Sequence, residues 1–182
     1  MLAAELRNDI QKLWDRFWSG GIANPLAAIE QIVYLIFMKR MEESDDKASE
    51  EARKENRRHK SIFNGRNDRR RWSQFRHLGG DEMLKVVRDE AFPLIKAMGG
   101  ERMRDAVFII PLPTMLQGAV EIIEQLFVPS RNADTLGDVY EHLLSEIQSA
   151  GKNGQFRTPR HIIRAIIELV NPQFNGRTPP KV

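Results

Sequence analysis

Cysteine is absent from all 182 residues. Its absence excludes disulfides, thiol catalysis and the cysteine-rich zinc sites, and makes the reducing cytoplasm the natural setting. Long apolar runs are also missing. The longest, Ile32 to Met38, is closed by Lys39 and Arg40, whereas a membrane helix needs about 20 apolar residues, so no membrane role is expected. The first residues carry Glu5, Arg7, Asn8 and Asp9 and do not read as a secretory signal. Neither common glycine-rich nucleotide signature is present. His59, His77, His142 and His161 lie far apart and form no zinc-binding helical pair. No serine stands in a nucleophile elbow. Glu141-His142 reads as the polar outer face of a helix rather than an acid–base pair. The charge is nearly balanced, at +3, and 41% of residues are apolar, enough for a packed core.

What is present is helical periodicity. Leu2, Leu6, Ile10, Leu13, Trp14, Phe17 and Trp18 recur at steps of three and four and predict one amphipathic helix, stopped by Gly20-Gly21. Asn24 then reads as an N-cap with Pro25 at the first helical position. The helix from about Leu26 to Met41 is apolar on nearly every side and is expected at the centre of the fold. Glu42 to Lys60 is almost all charged or small and reads as an exposed helix or arm. Arg57, Arg58, Lys60, Arg66, Arg69, Arg70 and Arg71 follow with Asp68 as the one acid among them, and Asn64-Gly65 marks a turn. Trp72, Phe75 and Leu78 begin a short helix. Asp81 is expected to cap another that runs to Pro93, which should bend or break it, and Gly99-Gly100 closes that element. Ala106 to Ile110 reads as extended because of Pro111 and Pro113, and Leu112 to Phe127 as helical. Thr135 to Ala150 and a Thr158-capped helix ending at Pro172 complete the reading. The fold class is mainly α, in three parts: a helical domain at 1–128, a lead-in at 129–172 and a loose end at 173–182.

The stretch Gly151-Lys152-Asn153-Gly154-Gln155-Phe156-Arg157-Thr158-Pro159-Arg160 carries the most chemistry. It is a glycine-rich loop ending at a capped helix, whose free N–H groups attract a carboxylate or phosphate. Phe156 is an apolar residue in a polar loop, available to pack on a flat ligand. The plainer alternative is a helix connection with a buried Phe anchor. A third, the G-x-x-G loop of a KH RNA-binding module, needs flanking strands that are not visible.

Gly154-Gln155-Phe156-Arg157-Thr158-Pro159 resembles the G-x-F/Y-x-T-P motif of amino-group DNA methyltransferases. Leu136 to Leu144, followed by Ala150 to Phe156, resembles the modification subunit of type I restriction-modification systems. Leu13-Trp14, the Asn24 to Met41 helix, Arg71-Trp72-Ser73, Val86 to Glu90 and Asp105 to Phe108 resemble that subunit's helical N-terminal domain. The likeness covers roughly Ile10 to Asn171.

The resemblance implies adenine N6 methylation of DNA with S-adenosylmethionine. Phe156 and Thr158, with Gly154 and Pro159 beside them, inherit a cofactor-contact role. The implied partners are double-stranded DNA, a specificity subunit, a restriction subunit and a second copy of the modification subunit. The family's D-P-x-x-G-T-G motif is absent after Glu168 to Pro172. Asn171-Pro172-Gln173-Phe174 is not the catalytic N-P-P-F/Y motif, whose Asn and Pro hold the flipped adenine. The chain is therefore expected to be an N-terminal portion leading into a truncated methyltransferase domain, inactive alone and with no catalytic residue of its own. Arg66, Arg69, Arg70 and Arg71 are expected to face DNA phosphates, which supply affinity without reading bases. A non-catalytic helical module binding nucleic acid or protein is the other class the residues allow.

Overall fold

The computed structural model describes residues 4–22, 24–126 and 141. Between residues 4 and 126 the described residues form six α-helices, one π turn and one 3₁₀ turn, and no strand occurs among the described residues. The mainly α expectation holds.

Helix α1, Ala4–Ser19, buries Ile10, Leu13 and Phe17 on one face. Trp18, assigned to the same stripe, is 54% exposed. At 3.6 residues per turn it stands about 80° round the helix from Ile10, at the edge of the apolar face. The Gly20-Gly21 stop is a Schellman motif. Ile22 N–H donates to the Phe17 carbonyl at 3.0 Å and Gly21 N–H to Trp18 at 3.2 Å. Gly21 takes φ of 95°, which a side chain would resist.

Helix α2, Pro25–Lys54, begins as expected: the Asn24 side chain accepts from the Leu26 N–H at 3.0 Å, with Pro25 at the first position. Ile29, Ile32, Val33, Tyr34, Leu35, Ile36 and Met38 are all buried. Burying a side chain of this size contributes about 1.5–3 kcal/mol. The helix does not stop near Met41. It continues to Lys54, and Glu42 and Asp45 in the charged stretch are buried. Charge alone does not show that a later segment will fold over these carboxylates.

Short α3, Trp72–Phe75, and α6, Pro113–Leu126, meet α2 at a second polar cluster. Glu124 accepts from Lys39 Nζ at 3.0 Å, Trp72 Nε1 at 2.6 Å and Arg76 Nη1. Burial works to raise the Glu124 pKa, and the Trp72 and Lys39 hydrogen bonds outweigh it, so the net direction is down.

Helix α4 spans Gly80–Val86 and α5 Phe92–Gly99. Gly79, not Asp81, is the N-cap of α4, and Asp81 and Glu82 lie in its first turn, where they favour the helix dipole. Pro93 neither breaks nor ends the helix. A π turn, Val87–Ala91, joins α4 to α5. Proline offers no N–H and crowds the carbonyl one turn back, and the widened turn accommodates it. Gly99 and Gly100 end α5 and lead into the 3₁₀ turn, Gly100–Met103.

Two side chains hold the extended stretch before α6: Lys96 Nζ donates to the Ala106 carbonyl at 2.8 Å, and Gln31 pairs with the backbone further on. Fully buried Gln31 donates to the Val107 carbonyl at 3.1 Å and accepts from the Ile109 N–H at 3.0 Å. Helix α6 packs on α1 and α4. Gly118 leaves room for the Arg16 guanidinium, which reaches the Thr114 carbonyl at 3.0 Å. No described helix is long and apolar enough to cross a membrane.

Candidate nucleic-acid interface

The basic segment is built on the second half of α2. Glu42, Asp45 and Asp46 stand three and four residues apart, which places them on one helix face. The chain leaves α2 at Lys54 and passes back over that face. Asp45 is the first anchor. Its carboxylate pairs with His59 Nε2 at 2.9 Å and accepts from Ser61 Oγ at 2.7 Å and the Ile62 N–H at 3.2 Å. Burial pushes the Asp45 pKa up; the hydrogen bonds from Ser61, His59 and Ile62 outweigh it and hold the carboxyl below its ordinary value.

Arg71 is the second anchor. It is buried, and its guanidinium reaches Asp46 at 2.9 Å, Glu42 at 3.3 Å and Asp45 at 3.4 Å. Its Nε donates to the Gly65 carbonyl at 2.9 Å, and its guanidinium lies 4.4 Å from the centre of the Phe63 ring. Glu42 also accepts from the Ser73 N–H at 2.9 Å. Asp68 closes the turn between these anchors. It accepts from the Asn64 N–H at 2.6 Å, the Arg70 N–H at 3.0 Å and Arg70 Nε at 2.9 Å. The Arg70 side chain, above all, keeps the Asp68 carboxyl ionised well below the usual range.

The four arginines read from sequence as one exposed row are therefore sorted. Arg71 is inside, joined to three carboxylates of α2. Arg70 closes on Asp68. Arg69 is exposed but pairs with Glu82 at 2.9 Å and Glu90 at 3.6 Å. Arg66 is exposed and has no acidic partner among the described residues. Glu42, Asp45, Asp46, His59 and Ser61, which hold the loop, were not read as site residues. The signal for the acids was available in their spacing, a stripe of one sign just ahead of a run of the other. Gly154, Phe156, Thr158 and Pro159 lie outside the described residues, as do the lead-in helices. Of Glu141-His142 only Glu141 is described, helical and exposed.

A strandless helical body with an apolar central helix and a basic loop pinned to its charged end defines a helical module without an assembled active site among its described residues. The family described as HsdM N-terminal domain matches residues 6–142, and the chain belongs to that family. A second family, N-6 DNA Methylase, matches residues 131–177. Over 108 residues the chain is 28% identical to the Type I restriction enzyme EcoEI methylase subunit of Escherichia coli, a match that takes in 52% of this chain and 22% of that relative. No solved structure matches the chain. The resemblance read from the residues, to the N-terminal part of a type I modification subunit, is borne out.

Proposed function

We propose that the chain is the N-terminal part of a DNA methyltransferase subunit that places a methyl group from S-adenosylmethionine on N6 of adenine within a type I restriction-modification system. One observation carries the reading. The helical-domain match at 6–142 runs directly into the methylase match at 131–177, on one chain and in that order. The partners are duplex DNA, a specificity subunit, a restriction subunit and a second modification subunit.

The donor set of the Gly154–Pro159 loop suits this cofactor. Phe156 is a flat apolar side chain and Thr158 carries a hydroxyl, residue types able to pack on and hydrogen-bond such a cofactor. When bound, the cofactor supplies an electrophilic methyl group. These residues bind and orient it at one edge; none of them moves a proton or attacks. The 182 residues hold neither the D-P-x-x-G-T-G nor the N-P-P-F/Y motif, so this chain alone does not transfer methyl groups. Its helical domain serves DNA enclosure and subunit contact.

The test is genetic and biochemical together. Deleting the coding segment should remove N6-methyladenine from one recurring sequence in the host genome, read by methylation-sensitive sequencing. The purified chain should show no labelled methyl transfer and no tight, stoichiometric cofactor binding by calorimetry. An unchanged methylation pattern after deletion overturns the reading and favours a non-catalytic helical module.

A further inference from the structure

We infer that the end of α2 and the loop after it form a phosphate-binding surface made of Arg53, Lys54, Arg58, Lys60 and Arg66, and that its ligand is the backbone of duplex DNA. The inference rests on the reading that DNA is the substrate of the parent enzyme, and it replaces the arginine set expected from sequence.

The ion pairs carry it. Arg57 pairs with Glu55, Arg69 with Glu82 and Glu90, Arg70 with Asp68, and Arg71 with the α2 carboxylates. The five remaining cations are exposed and have no acidic partner among the described residues. Neighbouring like charges repel, and none of these five is closed by an ion pair among the described residues; a polyanion would offset them.

The fold also fixes where they stand. His59 reaches inward to Asp45, and Arg58 and Lys60 on either side of it are exposed. The inward anchor at His59 ties down the short stretch that carries its two exposed neighbours. Arg66 follows Gly65, whose carbonyl is held by Arg71. Arg53 and Lys54 end a rigid helix. A loop tied at both ends presents its charges with less ordering cost than a free arm. The set is five long cations, the side chains that neutralise phosphates and supply affinity for any duplex.

The experiment is a salt titration of the full 182-residue chain binding a short duplex of arbitrary sequence, followed by fluorescence anisotropy. The wild type is compared with the combined Arg53→Gln, Lys54→Gln, Arg58→Gln, Lys60→Gln and Arg66→Gln variant and with an Arg69→Gln, Arg70→Gln control. The steepness of log affinity against log salt should fall by about 0.9 for each phosphate that is no longer neutralised, or about 4.5 if all five side chains touch phosphates. The control should keep the wild-type slope. If the combined variant does not fold by circular dichroism, Arg58→Gln and Arg66→Gln alone should each lower the slope by about one unit. An unchanged slope, absence of duplex binding at low salt, or tighter binding of polyglutamate than of duplex each overturns the surface. These outcomes leave the methylation pattern after gene deletion untouched, so failure of the surface and failure of the enzymatic reading are separable.

Discussion

Arg66 and Arg71 carry the same charge within one short loop, yet their surroundings assign them opposite work. Arg66 stands in solvent, while Arg71 sits against Glu42, Asp45 and Asp46 with 7% of its side chain exposed. Removing one partner of a buried ion pair leaves the other charge uncompensated, which costs about 3–5 kcal/mol. Arg71→Ala should therefore cost about 3 kcal/mol or more in urea unfolding followed by circular dichroism. Arg66→Ala should stay within about 0.5 kcal/mol, as exposed substitutions do. Equal losses at the two positions would refute the sorting. The sequence displayed the arginines and their turn, Asn64-Gly65, but not their fates. The fates of Arg69 and Arg71 depend on carboxylates elsewhere in the chain, and Glu42 lies 29 positions from Arg71. Periodicity describes a helix's own faces and says nothing of which loop returns to cover them.

At the scale of elements, much was readable because the signals are local. The Asn24-Pro25 start, the Gly20-Gly21 stop and the apolar first half of α2 are set by residues within a turn of one another. The length of α2 and the π turn before Pro93 were not readable, since both depend on neighbouring elements. The extended stretch through Val107 and Ile109 was foreseen, and its tether was not. Gln31 supplies the pairing that a neighbouring strand would give, with one donor and one acceptor from a fully buried amide. Gln31→Leu keeps the bulk and removes the partner of the part-buried Val107 carbonyl and Ile109 N–H. Each lost hydrogen bond costs about 0.5–1.5 kcal/mol net, so a destabilisation of about 1–3 kcal/mol is expected in the same unfolding assay. Hydrogen exchange at the Ile109 amide should rise more than in the middle of α6. Slow exchange at Ile109 in the variant would show that Gln31 is not what holds it.

For the whole molecule, the carboxylates that join its parts share a pH signature. Asp45 binds the loop to α2, Asp68 closes the loop turn and Glu124 joins α6 to α2 and α3, and all three pKa values are lowered in the folded state. A folded pKa below the unfolded one stabilises the fold above the ordinary carboxylate value, near 4, and that share is lost as pH falls through the folded value. The urea midpoint should hold from pH 7 to about 5 and then drop towards pH 3. Asp45→Asn should lower the plateau and flatten part of the fall, and an equally steep fall in that variant would remove Asp45 from the account. Helix α2 also has mechanical consequences. Its first half is gripped by α1, α5 and α6, and its far end projects the cationic tip. At 1.5 Å per residue, Arg53 lies about 28 Å along the axis from Tyr34, so a tilt of about 5° sweeps the tip through roughly 2.5 Å. The helix is a lever whose fulcrum is the apolar core. A core substitution beside Tyr34 that tilted the helix by this much would shift the tip by most of a phosphate's width without touching a single charge.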